Sequence, residues 1–174
     1  MVNGLNIIVG GKNLNIIVVD EEKVMLDFLR EQLSLFVSNV SIYTFESIKS
    51  AYEFAKNNKV YLAILEVEFS EESGIELARY LHKIDERIGI IFSTASSNYA
   101  LEAFEVDAMA YLLKPYFPED VKKAIQKAIR IRDYCLSSKM YIQTFGGFDV
   151  YVDRNPVHFP RSSSKEILAL LVDH

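Results

Sequence analysis

Cysteine is almost missing from this chain: Cys135 is the only one in 174 residues. No internal disulfide can form, so the fold does not depend on an oxidising compartment. Long apolar runs are missing too, and no stretch approaches the roughly 20 residues that a membrane helix needs. The start, "MVNGLNIIVGGKNLNIIVV", has neither a basic leading region nor a small-residue cleavage site, and is not read as a signal peptide. Basic residues are outnumbered, 19 Lys and Arg against 24 Asp and Glu, for a net charge of −5. That argues against the whole chain binding nucleic acid through bulk electrostatics. These absences together favour a cytoplasmic protein with no membrane contact. Apolar residues are present in quantity: they make up half of the chain, enough for a sizeable buried core.

Their arrangement is regular. "LNIIVV" (14–19) precedes a stretch in which Val24, Phe28, Leu29, Leu33 and Phe36 recur at helical spacing. "VSIYTF" (40–45) precedes "ESIKSAYEFAKNN", "VYLAIL" (60–65) precedes "ESGIELARYLHKI", and "IGIIFSTA" (88–95) precedes "NYALEAFEVD". "AMAYLLK" (108–114) precedes Pro115 and a helix opened by Pro118, Glu119 and Asp120, with Val121, Ala124, Ile125, Ala128 and Ile129 as its apolar stripe. Strand and helix thus alternate five times. That predicts an α/β fold, a parallel sheet covered on both faces, with any site beyond the carboxyl ends of the strands. "LNIIV" also occurs at 5–9. The copy at 14–18 reads as a central strand, so the first copy (within an extension, residues 1–12) is expected outside the main sheet, on an edge or in a partner molecule.

The residues just past each apolar run are therefore the ones that matter. They are Asp20 with Glu21 and Glu22, then Glu66, then Thr94, then Lys114 with Pro115. Clustered carboxylates suit a hard divalent cation such as Mg²⁺, and a hydroxyl and an ammonium suit the oxygens of a phosphoryl group. The plainer alternative is a satisfied ion-pair cluster, a lysine facing several carboxylates. The first strand-to-helix loop, "DEEK", is acidic and would repel a phosphate rather than cradle it, which argues against a flavin site.

"IIVVDEE", "YLAILEVEFSEESGIELARYL", "IIFSTA" and "AYLLKP" together resemble the receiver domain of bacterial response regulators, over residues 13–137. The resemblance implies a flavodoxin-like five-stranded sheet of order 2-1-3-4-5. It implies Asp20 and Glu21 as the acidic pair, with Glu21 and the main-chain carbonyl of Glu68 among the ligands of a Mg²⁺ ion. Thr94 would be the switch hydroxyl, Tyr111 the switch aromatic and Lys114 the conserved-type lysine. It also implies a sensor histidine kinase as partner, and a homodimer through the face of the fourth helix, fifth strand and fifth helix, here Tyr99, Ala103, Tyr111 and the basic residues of 118–137.

The departure lies at the phospho-acceptor. Where the family carries Asp, this chain has Glu66, and the loop that usually reads "MPGM" is "FSEE" here, without its proline. Glu is one methylene longer, about 1.5 Å of reach. A shift of that size costs roughly a hundredfold in a reaction that depends on alignment. It also pushes a carboxylate to where a phosphoryl group would sit, with about one unit of charge against nearly two. Two readings follow. In the favoured one, Glu66 is a poor or dead acceptor and the domain is a pseudo-receiver held near its active form. In the other, Glu66 still takes phosphate from a kinase at a reduced rate. Glu remains an acceptable oxygen ligand for Mg²⁺ in either.

From residue 138 the pattern changes to short strands, "MYIQTFGGFDVYVDRNPVHFPR", with turns at Gly146-Gly147 and at Asp153-Arg154-Asn155, and a helix, "SSSKEILALLVDH". The "FG-F-V" and "S-KE-LALL" motifs resemble the opening of the winged-helix output domain of SARP-type regulators. No second helix follows to enter a major groove. Charges from Lys139 to Asp173 balance, four against four. The expectation is a shortened or decayed output region, with DNA binding reserved to a complete parent protein. The leading function is thus a regulatory module, a receiver-like switch controlling transcription, and not an enzyme. A Mg²⁺-dependent phosphotransfer protein and a phosphate-independent interaction domain are the alternatives.

Overall fold

The computed structural model describes residues 7–8, 14–70, 72–137, 140–143, 149–152 and 155–156, with backbone alone for 7–8 and from 132 onward. The chain divides into two compact units, Met1–Arg132 and Asp133–His174. In the first unit the five apolar runs become β2 (Leu14–Val19), β4 (Val40–Phe45), β5 (Val60–Leu65), β6 (Gly89–Thr94) and β7 (Ala110–Leu113). They form one parallel sheet of order β4-β2-β5-β6-β7, which is 2-1-3-4-5 in the numbering of the alternation. Between the strands run α1 (Lys23–Phe36), α2 (Ile48–Asn57), α3 (Gly74–Ile84) and α4 (Ala100–Glu105), and α5 (Pro118–Ser137) follows β7.

Successive strand residues point to opposite faces, so each strand feeds two cores. On one side Ile17, Val19, Ala63, Leu65, Ile90 and Phe92 pack under α2, α3 and α4. On the other, Ile16, Val18, Leu62, Ile64, Ile91 and Leu112 pack under α1 and α5. This is why β2, β5 and β6 read as unbroken apolar runs: both of their faces are buried.

Three of the helices start where the sequence offers caps. Ser47 accepts a hydrogen bond from the Ser50 N–H and Ser73 from the Ile75 N–H, opening α2 and α3. At α5 the Asp120 carboxylate accepts from the Phe117 N–H, and Pro118 stands in the first turn. Its expected stripe, Val121 to Ile129, is buried. In α1 the expectation was partly wrong. Val24 is 77% exposed, and the buried face is Leu26, Leu29, Gln32 and Leu33. That set follows i, i+3, i+7, and Val24 sits off it in the first turn.

The first copy of the repeated pentapeptide contributes β1 (Ile7–Ile8). It pairs in parallel with β3 (Val37–Ser38) as a separate two-stranded ladder, outside the main sheet. In the second unit β8 (Met140–Gln143), β9 (Asp149–Val152) and β10 (Asn155–Pro156) form an antiparallel sheet of order β10-β9-β8. Asn155, read as a turn residue, is in a strand. The Gly146-Gly147 turn, Asp153-Arg154 and the helix read from Ser162 onward lie outside the described residues.

Candidate functional site

Strand register brings the site together. Val19 on β2 pairs with Leu65 on β5, so the next residues, Asp20 and Glu66, leave the sheet side by side. The Glu66 N–H still donates to the Val19 carbonyl, at 2.8 Å. On the far side Thr94 pairs with Leu113, and the Lys114 N–H donates to the Thr94 carbonyl at 2.7 Å. From there the four-carbon stem of Lys114 crosses the tip of β6. Its ammonium donates to Asp20 Oδ2 and to Glu66 Oε2, each at 2.7 Å.

All three members of this triad are withdrawn from water. Asp20 and Glu66 are buried, and the Lys114 side chain is 12% exposed. Each remaining carboxylate oxygen has a partner. Asp20 Oδ1 accepts from the Glu22 N–H at 2.9 Å. Glu66 Oε1 accepts from the N–H groups of Val67 and Glu68, at 2.7 and 3.2 Å. Burial pushes the Asp20 carboxyl above its ordinary value, a shift opposed by the Lys114 ammonium and the Glu22 amide. Burial alone would pull Lys114 down, but its bonds to Asp20 and Glu66 outweigh that and hold it above the ordinary lysine value. Lys114 therefore stands as an ammonium, and the pair of carboxylates shares its charge.

Four of the residues singled out from the sequence, Glu21, Thr94, Tyr111 and Glu68, do not join this triad. Glu21 turns instead to the β5–α3 loop, where its carboxylate accepts from the Ser70 N–H at 3.0 Å and the Ser70 hydroxyl at 2.9 Å. Thr94 is fully buried, and its Oγ accepts from the Ser96 N–H at 3.3 Å. Tyr111 lies inward, its ring 6.3 Å from that of Phe92, and its hydroxyl donates to the Ser96 carbonyl at 2.6 Å. Burial, with the charges of Glu66 and Glu68, raises the Tyr111 hydroxyl. The Glu68 backbone forms an isolated antiparallel bridge with Ser73.

Mg²⁺ demands near-octahedral oxygen ligation. Here Asp20 and Glu66 already share an ammonium, and the Glu21 carboxylate is turned to Ser70, which donates to both of its oxygens. Among the described residues no group of three or more His, Cys, Asp or Glu is placed to hold a metal ion. In this arrangement the residues do not fit the ion.

Two further polar groups were not read from the sequence. Ser93, one residue before Thr94 and buried, hydrogen-bonds the Tyr116 hydroxyl at 2.7 Å, and the Tyr116 ring lies tilted against Phe28, centroids 6.1 Å apart. Burial raises the Tyr116 hydroxyl, and the charges of Lys114, Asp20 and Glu66 act on it. The only signal for this pair was an aromatic two residues after the lysine, in "KPY". The other missed residue, Ser70, replaces a proline of the family pattern.

The model for the response regulator receiver domain matches residues 16–126. The sensory transduction protein LytT of Bacillus subtilis is 36% identical over 114 residues, 66% of this chain and 47% of that protein. The transcriptional regulatory protein LytR of Staphylococcus aureus is 32% identical over 111 residues, 64% of this chain and 45% of that one. The crystal structure of the response regulatory domain of mrkE from Klebsiella pneumoniae superimposes with a TM-score of 0.64 at 26% identity. It covers 69% of this chain and 98% of that domain. The chain spans about half the length of these two curated relatives. No helix among the described residues is long and apolar enough to cross a membrane. Sheet order, strand-end triad and family match agree: this chain belongs to the response regulator receiver domain family.

Proposed function

We propose that this is a pseudo-receiver: a receiver whose acceptor position is closed by its own side chains, and which governs a transcriptional output without phosphorylation. The observation that carries the reading is that both oxygens of Glu66 are engaged. One oxygen accepts two backbone N–H groups and the other the Lys114 ammonium. Attack on phosphorus needs a carboxylate lone pair aimed along the reaction axis, and positioning is most of what catalyses phosphoryl transfer. A carboxylate held at both ends and shifted outward by a methylene is poorly placed for it. The domain then acts as a regulatory module rather than an enzyme, in the cytoplasm.

The state of the switch residues supports a fixed conformation. The Tyr111 hydroxyl bonds the Ser96 carbonyl and so ties β7 to the β6–α4 loop, with Tyr111 already inward. A switch that works by shifting populations needs a second arrangement within reach. Here Glu66 supplies a permanent charge where phosphate would supply a transient one.

The partner surface follows from exposure. On the face of α4, β7 and α5, Ala103 is buried, so it belongs to the core and not to the surface expected from the sequence. Leu101 (73% exposed), Phe104 (79%) and Leu113 (47%) are the apolar groups presented there. Acidic Glu105 stands on α4 and basic Lys123 and Lys127 on α5, a pattern that is self-complementary across a twofold axis. We read this as the homodimer face. For the output, the relatives' names weigh toward a LytT or LytR type of regulator and against the SARP type read from "FG-F-V". The role read for that output is contact with DNA.

Sedimentation velocity of the chain with and without a small-molecule phosphodonor tests the reading. We expect a dimer whose sedimentation is unchanged by the phosphodonor and which Phe104→Lys converts to a monomer. A monomer that dimerises only with phosphodonor would overturn it.

A further inference from the structure

Ser70 stands at the second position of the loop "FSEE", where the family pattern "MPGM" has proline. Proline has neither an N–H nor a hydroxyl and can donate nothing. Serine has both, and here both go to one acceptor: the Ser70 amide and hydroxyl reach the two oxygens of Glu21, 49 residues away in the chain. The carboxylate that the resemblance assigns to the metal is thereby held across the mouth of the site by two charge-assisted hydrogen bonds. Beneath it, the Lys114 ammonium occupies the space between Asp20 and Glu66. The same loop donates the Val67 and Glu68 amides to Glu66. Two of the departures from the family pattern, Glu66 and Ser70, therefore act in one direction. Each gives an acidic group an internal partner.

We propose that Ser70 substitutes for the divalent cation at Glu21, making this receiver indifferent to Mg²⁺. Ser70 is then the residue that decides the metal response. The inference rests on the receiver reading for the identity of the cation, but not on whether Glu66 accepts phosphate. A cation entering the site must first release Glu21 from Ser70, and only then compete with Lys114 for the two deeper carboxylates. Removing the clasp lowers the first barrier and leaves the triad in place.

The test is a Mg²⁺ titration of the full chain, followed by amide NMR shifts of Glu21, Glu66 and their neighbours, against a salt control of matched ionic strength. The variants are Ser70→Ala, which removes the hydroxyl bond, and Ser70→Pro, which removes both. The wild type is expected to show no saturable shift in the millimolar range. Ser70→Ala should gain one, and Ser70→Pro should bind about tenfold tighter still, the worth of one charge-assisted bond. Saturable binding by the wild type equal to that of Ser70→Pro would overturn the proposal. So would absence of binding in all three, since Ser70 would then decide nothing. A wild type that ignores Mg²⁺ yet is phosphorylated would sink the pseudo-receiver reading and leave the clasp standing. A wild type that binds Mg²⁺ and is never phosphorylated would do the reverse.

Discussion

The Lys114 ammonium donates to Glu66 Oε2 at 2.7 Å, joining residues 48 apart in the chain across the carboxyl edge of the sheet. The same nitrogen bonds Asp20 Oδ2, so one cation holds the tips of β2 and β5 to the end of β7. Among the described residues no buried side-chain nitrogen or oxygen lacks a partner. The site is thus closed electrostatically and by hydrogen bonds at the same time.

Removing the cation should be costly. Lys114→Met leaves two buried carboxylates facing each other with no counter-charge. Breaking a buried pair from one side typically costs about 3–5 kcal/mol, more than the pair is worth in net terms. In urea melts we expect a loss near the lower end of that range, because the lysine side chain keeps some contact with water. The double variant Lys114→Met/Glu66→Gln should recover part of the loss. A loss below about 0.5 kcal/mol, the level of an ordinary surface pair, would mean that the triad is not formed in solution.

Alkaline pH should reveal the same pair. The folded chain holds Lys114 above the ordinary value of 10.5. Between that value and the folded one, the folded chain binds more protons than the unfolded chain. Stability from this group is therefore complete below 10.5 and falls as pH rises through the folded value. The raised tyrosines 111 and 116 act in the same direction, so the comparison must be with Lys114→Met. Melts across the alkaline range should show a steeper decline for the wild type than for that variant. Parallel declines would contradict the assignment.

Gly74 offers a test of how rigidly Glu66 is held. A Cβ at this position would lie 1.8 Å from the Glu66 carbonyl oxygen and 2.9 Å from its carbon. The Gly74 N–H also donates to the Val67 carbonyl at 2.8 Å. Both neighbours are backbone at the end of a central strand, so neither can give way cheaply. Gly74→Ala is expected to destabilise by about 3 kcal/mol or more and to shift the NMR signals of Glu66 and Val67. A neutral substitution would mean that α3 does not start against β5 as described.

The fold was legible from the sequence because the three central strands are apolar on both faces and α2, α3 and α5 carry their own start signals. Asp20, Glu66 and Lys114 were legible for a related reason: a charged residue directly after a buried strand has few places to go. The rest depended on rotamers and loop paths that no spacing encodes. Glu21 is adjacent to Asp20 in sequence, yet its side chain turns to Ser70 and not to the triad. Ala103 and Val24 both fell on plausible stripes, but a six-residue α4 and the first turn of α1 leave room for a rotation of the face. The Ser93–Tyr116 bond joins a residue of β6 to one in the loop after β7, and the two meet only after folding.

The central claim is that Glu66 is occupied and does not accept phosphate. Intact mass spectrometry after incubation with a small-molecule phosphodonor and Mg²⁺ measures this directly. The wild type should keep its unmodified mass, while Glu66→Asp/Ser70→Pro, which restores the family pattern at both positions, should gain one phosphoryl group. A phosphorylated wild type, with the label mapped to Glu66, would contradict it.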